Sequence, residues 1–146
     1  MRRVRAARYD ALIREGLRAL AGVHDTMEAL HGLRPKAIVT SASRDHSNEI
    51  HLQTGLVAPF DFVLADGDYA RHKPHPGPYL TADERMGVDP ARCPVVEDTE
   101  RGLGSATNAG MQGVVIPNEL TAGADFSCAV AKLESIAALP GWLGLR

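Results

Sequence analysis

Glu97 and Asp98 stand side by side at the end of the apolar run Cys93-Pro94-Val95-Val96, and the chain then opens into Thr99-Glu100-Arg101-Gly102-Leu103-Gly104, which reads as the start of a helix. Carboxylates at the C-terminal end of a strand face the crevice in which open α/β sheets bind ligands. Hard oxygen donors at such a mouth suit Mg²⁺, which takes one or two protein carboxylates and completes its shell with water and phosphate oxygens. Taken alone, the two acids are equally well explained as solvated loop charge.

Two further sites fall at matching places. Thr40 and Ser41 end the run Ala37-Ile38-Val39, and Ala42-Ser43 follow. A hydroxyl there, beside the free N–H groups of a helix start, can hold a phosphoryl oxygen, although a simple N-cap explains it too. Lys73 lies in Arg71-His72-Lys73-Pro74-His75-Pro76, where the prolines stiffen the loop that carries its ammonium. A hydroxyl, a lysine and an acidic pair at successive strand ends would converge on one crevice. Donors, a cation and a metal are what phosphoryl transfer requires, because its transition state spreads negative charge over the equatorial oxygens.

The elements that must position these residues follow from the apolar pattern. Tyr9, Leu12, Ile13, Leu17 and Leu20 recur at helical spacing and predict one amphipathic helix over 5–20. A short helix is expected over 25–31, capped by Asp25 or Thr26, with Met27 and Leu30 as its apolar side. Ala37-Ile38-Val39-Thr40 has the β-branched character of a buried parallel strand. Ser43 can cap a helix over 44–54 that Gly55 stops. Residues 60–64 predict a strand, 77–86 a helix ended by Gly87, 93–96 a strand, and 100–109 a helix ended by Gly110. Gly113-Val114-Val115-Ile116 is another buried strand. A last strand near 128–130 precedes a helix over 132–139, which Pro140-Gly141 ends, and Trp142 is expected to be a packing anchor. Strands alternating with helices predict parallel βαβ units with right-handed crossovers.

The 146 residues suit one domain with a modest core. A net charge of -2 gives no global field to attract nucleic acid. No apolar stretch nears the roughly 18 residues of a membrane span, so neither nucleic acid nor membrane is an expected partner. Arg2, Arg3, Arg5 and Arg8 make the N-terminus locally basic without the apolar core of a secretory signal. Cys93 and Cys128, the only cysteines, read as reduced thiols, and a cytoplasmic location is expected. The six histidines lack the convergent spacing of a metal site.

With these residues in place, the chain resembles the haloacid dehalogenase superfamily, in particular its capped phosphatases and phosphoglucomutases. Val39-Thr40-Ser41-Ala42-Ser43 resembles that family's second motif, and Lys73-Pro74-His75-Pro76-Gly77-Pro78-Tyr79-Leu80 its third. Val95-Val96-Glu97-Asp98-Thr99-Glu100-Arg101-Gly102-Leu103 resembles its fourth, and the likeness runs over about residues 22–140. The resemblance implies a Rossmann-like three-layer αβα core with a mostly parallel sheet. It implies that Ser41 and Ala42 bind the phosphate, with Thr40 the other candidate hydroxyl, that Lys73 neutralises phosphate and nucleophile charge, and that Asp98 with Glu97 holds Mg²⁺. Residues 1–24 resemble a helical remnant of the cap, and 25–146 the core domain.

The departure from the family concerns its first motif, a strand ending in Asp-x-Asp-Gly-Thr that supplies the nucleophile. Nothing before residue 37 contains Asp-x-Asp; the one match, Asp66-Gly67-Asp68, lies between the second and third motifs and reads as a loop acid cluster. In the family the absent strand is central, so its loss would leave two inner edges with unpaired backbone groups, each costing about 1–3 kcal/mol if buried. Either the strands close up, a partner chain supplies a strand, or the sequence is a fragment; an exposed inner edge would also favour self-association. The expected lineage is a Mg²⁺-dependent phosphatase of a small phosphorylated metabolite, this chain itself being inactive or incomplete without the nucleophilic Asp. A sugar-phosphate mutase, a non-catalytic phosphate- or partner-binding remnant and half of a split enzyme are the alternatives.

Overall fold

The computed structural model describes residues 2–145. Helices α1 (Arg2–Arg14) and α2 (Val23–Ala29) precede strand β1 (Ala37–Ser43), helix α3 (Arg44–Thr54) and strand β2 (Phe62–Asp66). Helix α4 (Gly77–Met86), strand β3 (Pro94–Glu97), helix α5 (Glu100–Asn108) and strand β4 (Gln112–Val115) follow, and the chain closes with β5 (Ala131–Lys132) and α6 (Leu139–Trp142). This is the expected Rossmann-like alternation of parallel strands and crossover helices.

Local chemistry sets the boundaries that the site depends on. The Ser43 side chain accepts from His46 N and starts α3, as a short hydroxyl at an N-cap does. Thr99 caps α5 in the same way, accepting from Gly102 N. Gly87, at φ 66°, takes the left-handed conformation that ends α4.

The ends of the chain depart from expectation. Helix α1 stops at Arg14 instead of running to residue 20, because Gly16 adopts φ 108°, which breaks the helical path. Of its apolar series only Ile13 is buried, while Tyr9, Leu12 and Leu20 are exposed. Neither Asp25 nor Thr26 caps α2; Gly22 holds the N-cap position, and the Thr26 hydroxyl donates instead to Ile136 O. The last strand lies at 131–132, not 128–130, and no helix spans 132–139. Residues 131–133 are taken by pairing with β4, where Leu133 N donates to Val115 O, so helix begins only at Leu139, after a 3₁₀ turn over Ile136–Ala138. Pro140-Gly141 sits inside this short α6 rather than after it, and Trp142 packs beside Met27, Leu30 and Leu139.

The sheet is divided. Strand β1 pairs only with β2, and β3 pairs with β4, which pairs with β5, all in parallel. Among the described residues β1 and β3 do not hydrogen-bond to each other. Lys36 O accepts from Asp61 N on the β2 side, so the alternate residues Ala37 and Val39 turn their backbone groups the other way. Glu97 O accepts from Ile116 N on the β4 side, so Val96 likewise faces the divide. Val96 remains 37% exposed, and β1 is nowhere fully buried. The two inner edges therefore stay apart rather than closing up. Helix α4 lies across them: Tyr79 packs with Val95 on one side, Ala82 packs with Leu64 on the other, and Val39 touches both groups.

Candidate functional site

At the carboxyl ends of the strands, one ammonium joins the two sheets. The rigid Lys73-Pro74 loop carries Lys73 inward, and the side chain is only 10% exposed. Its Nζ donates to Val39 O of β1 at 3.0 Å, to the Tyr79 hydroxyl at 2.9 Å and to Glu97 Oε1 of β3 at 2.5 Å. The Tyr79 hydroxyl also donates to Glu97 Oε1. Burial first, and then the Glu97 charge, push the Tyr79 phenol far above its ordinary range, so it stays a hydrogen-bond donor. The Arg101 guanidinium fixes the loop from outside by donating to Lys73 O at 2.5 Å.

The Glu97 carboxylate fits only because residue 102 has no side chain. A Cβ at Gly102 would stand 1.9 Å from Glu97 Oε2. Asp98 points elsewhere: it is exposed, and its Oδ2 accepts from Asn118 Nδ2 at 3.0 Å. On β1, Thr40 O accepts from the Tyr69 hydroxyl at 2.8 Å, Ala42 N donates to Thr40 Oγ1 at 3.1 Å, and Ser41 is exposed. Burial raises the Tyr69 phenol, with a hydrogen bond from Ser41 acting in the opposite direction.

Lys73 and Glu97 thus touch, and Lys73 meets the strand that carries Ser41 two residues before that hydroxyl. Asp98 follows Glu97 but bonds outward to Asn118. The Asp66-Gly67-Asp68 cluster is committed to loop structure: Asp68 Oδ2 accepts from Ala65 N at 2.8 Å and pairs with Arg44, and Asp66 lies 3.6 Å from His72. His75 Nδ1 accepts from Gly77 N at 3.0 Å and so shapes the turn before α4. Sequence reasoning gave Tyr79 no role of its own. Its signal was available in a polar-tipped aromatic in the first turn of the helix that follows Lys73. Asn118 was legible only as the residue after a strand.

For a divalent cation, the donor chemistry fits in part. Asp98 offers a hard, exposed carboxylate at a strand mouth, and Mg²⁺ needs no more than one or two of these beside water and phosphate oxygens. Glu97 is committed to Lys73 and Tyr79. Among the described residues no group of three or more His, Cys, Asp or Glu side chains forms an all-protein cage.

The arrangement is that of a Rossmann-like α/β protein with its charged residues gathered at the carboxyl ends of parallel strands. The haloacid dehalogenase-like hydrolase model matches residues 1–116, and the chain belongs to that family. CbbY of Rhodobacter capsulatus is 32% identical over 94% of this chain and 63% of its own length. Hexitol phosphatase A of Escherichia coli is 36% identical over 77% of this chain and 52% of its own. The fructose-1-phosphate phosphatase YqaB of the same organism is 37% identical over 62% of this chain and 48% of its own. The chain thus spans about half to under two thirds of the length of these curated relatives. Among solved structures, a mutant of Rhodobacter sphaeroides CbbY in complex with xylulose-(1,5)bisphosphate superposes with a TM-score of 0.86 at 28% identity, covering 99% of this chain and 67% of the other. A β-phosphoglucomutase-type protein from Thermotoga maritima gives 0.82 at 26% identity, covering 92% and 64%.

Proposed function

We propose that this chain carries the phosphate-binding half of a phosphatase acting on small phosphorylated metabolites of the sugar-phosphate type. The observation that supports this best is the Lys73 ammonium, buried between the middle of β1 and the end of β3 and in contact with both. An ammonium so placed neutralises a phosphate seated at the strand ends, and Ser41 with Ala42 would border that phosphate from β1. Mg²⁺ would be held by Asp98, with Glu97 as the second carboxylate once free of Lys73, and would supply charge stabilisation to the phosphoryl group. Phosphatase is preferred to mutase because the curated relatives at 36% and 37% identity are named as phosphatases. Residues 1–24 are read as belonging to a cap, and the expected setting is cytoplasmic.

Little or no turnover is expected of the chain alone. Covalent phosphoryl transfer requires a nucleophile, and the only Asp-x-Asp, Asp66-Gly67-Asp68, is tied into its own loop. Purified protein should bind inorganic phosphate in a Lys73-dependent way while leaving an aryl phosphate intact. Mg²⁺-dependent turnover that disappears in Asp98→Asn would overturn the inactivity, and phosphate binding indifferent to Lys73→Ala would overturn the site.

The divided sheet favours a second reading, in which another chain or a second copy provides a strand between β1 and β3. Unpaired inner edges are templates for strand addition. Hydrolysis that appears only on mixing with a chain bearing an Asp-x-Asp strand supports this reading, and a monomer unaffected by any such chain counts against it.

A further inference from the structure

The Lys73 ammonium has three N–H donors, and all three are already used: on Val39 O at 3.0 Å, the Tyr79 hydroxyl at 2.9 Å and Glu97 Oε1 at 2.5 Å. No donor is left for a phosphate oxygen, so an incoming anion must displace one of these partners. The three are not equal. Val39 O belongs to the backbone of β1 and cannot move without shifting the strand. Glu97 alone is itself charged, so its bond to the ammonium is an ion pair as well as a hydrogen bond, and with no Mg²⁺ to draw it away that pair holds. The Tyr79 hydroxyl is the neutral partner. It also keeps its own bond to Glu97 Oε1 when the ammonium leaves, because the same oxygen takes both donors.

We propose that the Tyr79 hydroxyl is a placeholder for a phosphate oxygen: it occupies the third donor of Lys73 and yields it when the anion binds. This deepens the phosphate-binding reading and rests on it. Tyr79 is then a positioning residue that sets how strongly Lys73 competes for anions. Its ring is fixed for that task, since it is buried against Val95, Ala106 and Met111 with the ammonium 4.6 Å from the ring centroid. Removing the hydroxyl while keeping the ring should free one donor without unseating Lys73, which keeps its bonds to Val39 and Glu97. A purely structural tyrosine predicts the reverse, because losing a buried bond loosens the pair and weakens any ligand that depends on it.

The test is calorimetric titration of the full chain with inorganic phosphate in Mg²⁺-free buffer, where Glu97 stays on Lys73, using wild type, Tyr79→Phe and Lys73→Ala. The expected result is binding several-fold tighter in Tyr79→Phe than in wild type, and none in Lys73→Ala. Binding that depends on Lys73 but is unchanged or weaker in Tyr79→Phe overturns the placeholder and leaves the phosphate site standing. Binding equal in all three proteins overturns both. Should Tyr79→Phe fail to fold, wild type labelled at the tyrosine ring Cζ carries the test by NMR. The Tyr79 signal should shift saturably with phosphate while that of Tyr9, outside the site, stays still. A Tyr79 signal unmoved at saturating phosphate overturns the proposal.

Discussion

Two glycines of α5 should respond in opposite directions to the same substitution. Gly→Ala in a helix interior gains about 1 kcal/mol from propensity. At Gly104 the new Cβ meets only Pro74 Cβ at 3.5 Å, an ordinary contact, so Gly104→Ala should stabilise by most of that gain. At Gly102 the new Cβ would lie 1.9 Å from Glu97 Oε2, 2.0 Å from its Cδ and 2.3 Å from Oε1. The carboxylate must then leave Lys73 and Tyr79. Breaking a buried ion pair from one side costs about 3–5 kcal/mol, and against the helical gain this leaves Gly102→Ala destabilised by about 2–4 kcal/mol. Urea titration followed by Trp142 fluorescence measures both, with the midpoint rising for Gly104→Ala and falling for Gly102→Ala. A double-mutant cycle isolates the cause: in a Glu97→Ala background the three atoms nearest the Cβ are gone, and Gly102→Ala should become neutral or stabilising. A Gly102→Ala protein as stable as wild type, or equally destabilised with and without Glu97, would refute the claim that this glycine exists to seat the carboxylate.

Two further outcomes are expected. Burial holds the His51 imidazole below its ordinary 6.5, so the unfolded chain binds this proton more readily than the native one. Stability from this group is intact above pH 6.5 and declines as pH falls through that value. Thermal melts between about pH 7.5 and about pH 5.5 should fall less steeply for His51→Gln than for wild type, and parallel slopes would remove His51 from the account. Asp68→Ala should cost about 1 kcal/mol, through the lost Ala65 amide bond and the exposed Arg44 pair, while phosphate affinity stays at the wild-type value. Loss of phosphate binding in that variant would show that the Asp66-Gly67-Asp68 loop belongs to the site.

The central elements were legible because their signals are local. Ser43 and Thr99 announce helix starts, Gly87 a helix end, and Ala37-Ile38-Val39 a buried strand, so α3, α4, α5 and the strands between them fall within a residue or two of expectation. The ends were less legible because their signals compete with tertiary demands. The apolar series 9–20 has helical spacing, yet Gly16 interrupts it and most of the series finds nothing to pack on. Residues 131–133 are claimed by the edge of β4, an interaction that no local window contains. At the site, sequence order placed Ser41, Lys73, Glu97 and Asp98 at or after strand ends, although β1 runs on to Ser43 and so contains Ser41, and Lys73 lies in the loop beyond β2. It did not show that Glu97 turns inward to Lys73 while its neighbour turns outward to Asn118. That division follows from the alternation of successive side chains along a strand, together with the space left by Gly102.

The two separate ladders have a thermodynamic consequence. Cooperative melting requires that one part of a molecule cannot come apart without the other. Here no rung of main-chain bonding joins the pair β1–β2 to the trio β3–β4–β5; they are coupled by side chains, through the packing of α4, the Lys73 bridge from Val39 to Glu97, the bonds of α5 to the 73–75 loop and the cluster that joins Phe60 and α2 to Leu133 and α6. If side-chain coupling is the weaker link, the halves should come apart on heating as neighbouring units before either unravels. Calorimetry of Glu97→Gln, which weakens the Lys73 bridge, should therefore show one broad endotherm resolving into two.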